Sequence, residues 1–308
     1  MSTSPSEPVE TPSVMGRNLA LASVAVCALI WGTTWFAITF QLGVVDPIVS
    51  VVWRFSIAAA VLFTGCVLTR RSIRLTRGQH LAAMGQGALA FALSYACVYL
   101  AEERVTSGVV AVAFASMALM NLILFRVVVG QKAARIVWIG AALGAFGVLV
   151  LTGGELAGAR LGPTAGAGIA LAILASIAST VANYFAWRGQ QMGAMVLPST
   201  AWAMAYGAGL LAVIGFATGA HWAFEPTFAY VGSLLYLAVF GSVIAFVLYF
   251  SLARSRGFTL ASYIGALTPL IAMGVSVVFE DARFGWPAAL GLALVIAGQV
   301  LIVRAPRA

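Results

Sequence analysis

The chain has 308 residues, of which 62% are hydrophobic and 8% charged, and its mean hydropathy is +1.02. A soluble domain carries about 25% charged residues, so this composition excludes a soluble globular protein and requires many segments buried in lipid. The formal net charge of +8 would suggest nucleic acid in a soluble chain; here the location of the charges matters more than their sum, and no nucleic-acid partner is expected.

Residues 1–17, rich in Ser, Pro, Thr and Glu, read as a disordered cytoplasmic tail. They lack the basic start of a signal peptide, and the apolar run behind them is long enough to span, so no cleavage is expected. A spanning helix needs roughly 20 apolar residues. Ten runs approach that length: 18–40, 48–69, 81–100, 107–129, 134–152, 164–187, 195–218, 228–252, 258–279 and 286–303. The longest connector, 153–163, separates the fifth run from the sixth, and 304–308 form a short second cytoplasmic tail. Cys27, Cys66 and Cys97 all lie inside apolar runs and read as packed thiols.

The chain repeats itself. Ala111 falls on Ala261 at an offset of 150, and Gly140, Ala142, Leu143 and Gly147 fall on Gly291, Ala293, Leu294 and Gly298 at an offset of 151. Alternating the spans from a cytoplasmic N-terminus puts 13 of the 17 basic residues on the cytoplasmic side and three outside, the bias that orients membrane proteins. Asp46, Glu102, Glu103, Glu155, Glu225, Glu280 and Asp281 all fall outside. Both termini are then cytoplasmic. Five spans per half is an odd number, so the second half enters the membrane in the opposite sense. The expected fold is an all-α polytopic membrane protein, with ten transmembrane helices as two inverted five-helix repeats (18–152 and 164–303) joined by the extracytoplasmic connector 153–163. Such inverted repeats commonly hold a substrate near the midplane and work by alternating access.

Particular residues carry a family likeness. The first run contains Ile30-Trp31-Gly32-Thr33-Thr34-Trp35-Phe36-Ala37, the second Val52-Trp53-Arg54-Phe55, the ninth Leu267-Thr268-Pro269-Leu270-Ile271-Ala272 followed by Glu280, and the tenth Gly291 to Gly298. With ten spans in two halves, the chain resembles an EamA-type member of the drug/metabolite transporter superfamily, from Leu19 to Val303. The first half departs from the pattern: Leu119 stands where a proline is expected, and Val129 and Gly130 where an acid is. The resemblance implies a cavity walled mainly by helices one, three, four, six, eight and nine, with five and ten peripheral. It also implies export of amino acids or related metabolites across a bacterial inner membrane.

No Asp, Glu, Lys or His sits mid-span. An ionisable residue there is costly and is a functional signal by default. Its absence favours a neutral or zwitterionic substrate and facilitated diffusion or weak coupling over a carboxylate-borne proton. Arg126 and Arg135 fall at the cytoplasmic ends of their runs, and Arg54 is the one charge further inside a span. The default reading is a side chain snorkelling outward towards Asp46 or Glu280; the sharper one is a gate or a partner for a substrate carboxylate. Pro269 reads as a kink, either static or a bend used in alternating access.

The candidate substrate-binding wall is Trp31, Thr34, Tyr95, Tyr99, Ser179, Asn183, Trp187 and Tyr263, with Arg54 and Pro269 as gating or conformational residues. Ser176, Thr180, Asn183 and Trp187 form one stripe on helix six. For each residue taken singly, the structural reading competes: hydroxyls and amides in spans often bond between helices, and terminal aromatics often sit at the interface. Rings with hydroxyls and an amide suit an aromatic or large neutral amino acid. Gly140 and Gly144 form a GxxxG; packing inside one bundle, and hence a monomer, is expected, with a homodimer as the alternative.

The leading function is an exporter of amino acids or similar metabolites; the alternative is a drug or other neutral-metabolite exporter, with proton coupling open to it, and the distant alternative a membrane enzyme or a non-transporting sensor. An enzyme is not expected. The only histidines, His80 and His221, lie at loop edges, and HExxH, Gly-x-Ser-x-Gly and nucleotide-binding loops are absent. No cofactor and no metal are expected.

Overall fold

A computed structural model of the chain describes residues 16–157, 164–256, 258–282 and 285–304. The helices, in order, are α1 (Arg17–Thr39), α2 (Pro47–Leu68), α3 (Arg77–Glu102) and α4 (Ser107–Val128), α5 (Arg135–Ala157), α6 (Ala165–Gln191), α7 (Val196–Thr218), α8 (Phe228–Ser255), α9 (Phe258–Phe279) and α10 (Trp286–Arg304). Seven are long and apolar enough to cross a membrane along their described length, and α5, α9 and α10 contain shorter apolar stretches. The tail 1–15 and most of the expected connector, 158–163, lie outside the described residues.

Local signals set several ends. Asp46 caps α2, accepting from Ile48 N at 2.8 Å, with Pro47 in the first turn. Thr76 and Gln79 form a reciprocal capping box at the start of α3. Gly219 ends α7 with φ of 70°, a left-handed conformation that costs glycine nothing. Glu280 serves α4 from another element: its carboxylate accepts from Ser107 Oγ at 2.6 Å and Ser107 N at 3.4 Å, beside Ser276 Oγ, which accepts from Gly108 N at 3.0 Å. The first free N–H groups of α4 are thereby satisfied.

Two helices leave the regular α path at related places. Gly87–Ser94 in α3 and Val239–Ile244 in α8 are π-helical, a wider turn found often at functional sites. Helix α4 breaks at Ser116, whose hydroxyl bonds Ala113 O at 2.6 Å. So α4 has its irregularity without the proline that α9 carries at Pro269, because a serine bonding its own backbone competes with the helical ladder.

The packing follows the repeat. Helices α5 and α10 pack together, as do α2 with α7, α1 with α9, and α4 with α6. The α5–α10 contact is made by backbone. A Cβ on Gly140 would sit 2.4 Å from Gly298 O, and one on Gly147 would sit 2.5 Å from Gly291 O. The offset of 151 carries Gly140 onto Gly291 and Gly147 onto Gly298, and so turns each contact into the other. Gly140 therefore spends its lack of a side chain inside one bundle. The main buried cluster is drawn from both halves, with Phe55, Phe91, Val98 and Tyr99 against Met204, Leu211 and Leu237. Leu68, Phe216, Phe228 and Phe279 face outward, as a lipid-facing surface requires.

Candidate functional site

A cavity of about 150 Å³ lies between the halves; one of roughly that volume accepts a benzene-sized ring. Trp31 and Trp35 come from α1, Arg54 from α2, Tyr95 from α3, Phe114 and Asn121 from α4, Ser179 and Asn183 from α6, Phe246 and Tyr249 from α8, and Thr268 and Pro269 from α9. The aromatic rings support one another: Trp31 lies 5.2 Å from Phe246 and 5.4 Å from Tyr249, and Trp35 lies 4.9 Å from Phe114. These are edge and tilted geometries favoured by ring quadrupoles.

The π turn of α8 positions much of this wall. Trp31 Nε1 donates to Gly241 O at 3.2 Å. Ser242 Oγ donates to Leu237 O at 2.9 Å and accepts from Arg54 Nε at 3.0 Å. The Arg54 guanidinium carbon sits 4.5 Å from the Tyr95 ring centre and 5.4 Å from that of Phe55, within cation–π range. Arg54 is fully buried, and its Nη1 has no hydrogen-bond partner among the described residues. The snorkelling reading of Arg54 gives way here: the side chain turns into the bundle. Neither Asp46 nor Glu280 comes within 4.0 Å of it, and among the described residues the one ion pair is Arg104 with Glu103.

Of the sequence candidates, Trp31, Thr34, Tyr95, Ser179, Asn183, Arg54 and Pro269 line the cavity. Thr34 bonds its own helix at Trp31 O, 2.9 Å. Ser179 is paired with Ser94 at 2.8 Å. Asn183 donates to Asn121 Oδ1 at 3.3 Å and engages Tyr249. Tyr99 and Trp187 are not part of the wall. Tyr99 is fully buried in the core, one turn beyond Tyr95. Trp187 stacks on Tyr184 at 5.9 Å and meets Phe125 edge-on. The side chain of Tyr263 lies outside the described residues. Within the stripe on α6, only Asn183 reaches the cavity; Ser176 and Thr180 are buried and bond back to Ala172 O and Ser176 O. The face of α6 that lines the site is Ser179, Ala182 and Asn183.

Two wall residues carry a signal that Ser, Thr, Asn and aromatic side chains do not exhaust. Gln86 and Gln299 are buried, uncharged amides inside apolar runs, and an amide in lipid is as costly for glutamine as for asparagine. Gln299 belongs to α10, so that helix contributes to the wall instead of lying wholly at the periphery. Glu102 also differs from the loop position expected: it is the last residue of α3, 8% exposed, with neither carboxylate oxygen hydrogen-bonded.

An all-helical bundle whose halves enclose a ring-lined cavity with few polar groups defines a membrane transporter of the inverted-repeat class. The sequence model of the EamA-like transporter family matches residues 18–153 and again 166–304, and the chain belongs to that family. It is 24% identical to Protein PecM of Dickeya dadantii over 89% of this chain and 88% of that protein. It is 28% identical to the uncharacterized inner membrane transporter YedA of Escherichia coli K12, over 80% of this chain and 78% of that one. A solved structure superposes with a TM-score of 0.71 at 18% identity, covering 93% of this chain and 96% of its own; at that identity it supports the fold alone. The chain is thus a multi-pass inner membrane protein of a transporter family.

Proposed function

We propose that the protein exports amino acids, aromatic or large neutral ones, or related small metabolites across the inner membrane by alternating access. The two repeats enter the membrane in opposite senses with both termini cytoplasmic, and the chain acts as a monomer in the bilayer. One observation carries this reading: the cavity between the halves combines rings, hydroxyls and amides with a single charged group, a surface suited to an amphipathic solute. The wall holds no acid to carry a coupling proton, which supports facilitated diffusion or weak coupling. Trp31, Thr34, Tyr95, Ser179 and Asn183 serve as wall, and Pro269 as the bend in α9.

The test is uptake of labelled amino acids into proteoliposomes of the purified protein, with and without an imposed pH gradient. Saturable, gradient-independent flux of phenylalanine, tyrosine, tryptophan or leucine supports the proposal. Flux of drugs or other neutral solutes with none of amino acids discards the substrate assignment in favour of a drug exporter. Accumulation only with a gradient discards the uncoupled mechanism.

A further inference from the structure

Arg54 is the group the cavity leaves unanswered. Its position is over-determined: Ser242 takes Nε, the Tyr95 ring lies against the guanidinium plane, and Ser242 is itself fixed to Leu237 O. A guanidinium held this firmly, with the Tyr95 and Tyr99 hydroxyls beside it and its buried Nη1 without a hydrogen-bond partner among the described residues, is set to receive an anionic oxygen. Its counter-charge is missing from the wall, which contains no Asp or Glu among the described residues. Glu102 and Arg54 attract through space without contact, and Glu280 is held on Ser107. Burying a guanidinium without a contacting anion is expensive, so the site gains most from a ligand that supplies one.

The same wall offers a cation no charged partner. Its acceptors are neutral: the Asn121 carbonyl is already taken by Asn183, and Gln299 Oε1 is an unpartnered amide oxygen without charge. An ammonium in this cavity would be buried without an anion, next to the positive charge of Arg54. We propose that Arg54 holds the carboxylate of an amphipathic monocarboxylate whose ring lies among Trp31, Trp35, Phe114 and Phe246, and that an amino group on the substrate is dispensable. This rests on the cavity being the transport site, and it narrows the substrate class from zwitterions to aryl monocarboxylates.

The experiment is calorimetric titration of the full-length protein in lipid nanodiscs at neutral pH. Four probes share one ring and chain length: hydrocinnamate, its amide hydrocinnamamide, phenylalanine and phenethylamine. Hydrocinnamate is expected to bind roughly tenfold to a hundredfold more tightly than the amide, the worth of charge-assisted hydrogen bonds, and at least as tightly as phenylalanine. Phenethylamine is expected to show no saturable binding. In Arg54→Gln the acid and the amide become equal, and Arg54→Lys, which keeps the charge but loses the fork, falls between. Equal binding of acid and amide by the unmodified protein, or saturable binding of phenethylamine, overturns the anchor. Phenylalanine binding more than tenfold tighter than hydrocinnamate overturns the dispensable amine and leaves the amino-acid reading in place. Binding of no probe overturns the subsite outright. The unmodified protein decides each of these, so an Arg54 variant that misfolds removes nothing. Absence of amino-acid flux in proteoliposomes, with hydrocinnamate binding intact, discards the proposed cargo and keeps the subsite.

Discussion

Replacing Gly140 by alanine puts a methyl group against a backbone carbonyl. The new Cβ would stand 2.4 Å from Gly298 O and 2.9 Å from Ile302, where ordinary contact begins near 3.4 Å. Helices α5 and α10 must part by about 1 Å at that level, and a carbonyl cannot rotate away as a flexible side chain can. Overpacking of this kind costs about 1–3 kcal/mol, worth a fall of roughly 1–5 °C in melting temperature for a chain of this size. Gly144, one turn further along the same GxxxG, has nothing within 4 Å of its added Cβ. Gly144→Ala therefore gains only the helix preference of alanine over glycine, up to about 1 kcal/mol, and its melting temperature holds or rises. Both variants are melted side by side in detergent, followed by a thiol-reactive dye that reports the buried cysteines Cys27, Cys66 and Cys97. An equal fall for both would refute the reasoning, because it would mean that the motif works through its outer face instead of through the carbonyl of Gly298.

Trp31→Phe keeps a ring but deletes the donor to Gly241 O; a loss of about 0.5–1.5 kcal/mol is expected in the same melting assay, with weaker binding of whichever solute the cavity takes. Asn121→Ala and Asn183→Ala, combined in a double-mutant cycle, should show a coupling of about 0.6–2 kcal/mol, and strict additivity would mean that the amide pair is not formed. Glu280→Ala strips the acceptor from Ser107, and loss of such a cap should cost about 0.5–2 kcal/mol, read as a lower melting temperature; a variant as stable as the parent would show that α4 is capped otherwise. Pro269→Ala restores the N–H that α9 lacks at a cavity-lining position; the expected result is a reduced maximal rate with little change in half-saturation, and an unchanged rate shows that the proline takes no part in alternating access.

The architecture was legible because lipid allows so few solutions. Ten apolar runs follow from backbone satisfaction and hydrophobic length, and the recurring Gly140/Gly291 pattern shows the repeat directly. The cavity wall was legible only in part. Spacing says which residues share a face and says nothing of depth: Tyr95 and Tyr99 stand one turn apart, yet Tyr95 meets the cavity and Tyr99 is shut into the core. Ser176 and Thr180 looked like part of a polar stripe, but a hydroxyl in a helix can satisfy itself on its own carbonyls. Arg54 stands near the end of a run, where snorkelling is the cheaper outcome in general; only the serine on the π turn of α8 and the ring of Tyr95 make an inward path available. No sequence signal marked either π turn.

The π turn of α8 stores its information in a count of residues instead of in their identities. Gly241 O meets the indole of Trp31 and Leu237 O meets Ser242 because Val239–Ile244 holds a widened turn that aims backbone oxygens sideways. A carbonyl survives any substitution at its own position. Variation along this stretch can alter size and polarity and still leave the attachment of α1 intact, whereas deletion of one residue would swing both oxygens away together. Relatives that differ widely in side chains here can share the contact, and a close copy lacking one residue cannot.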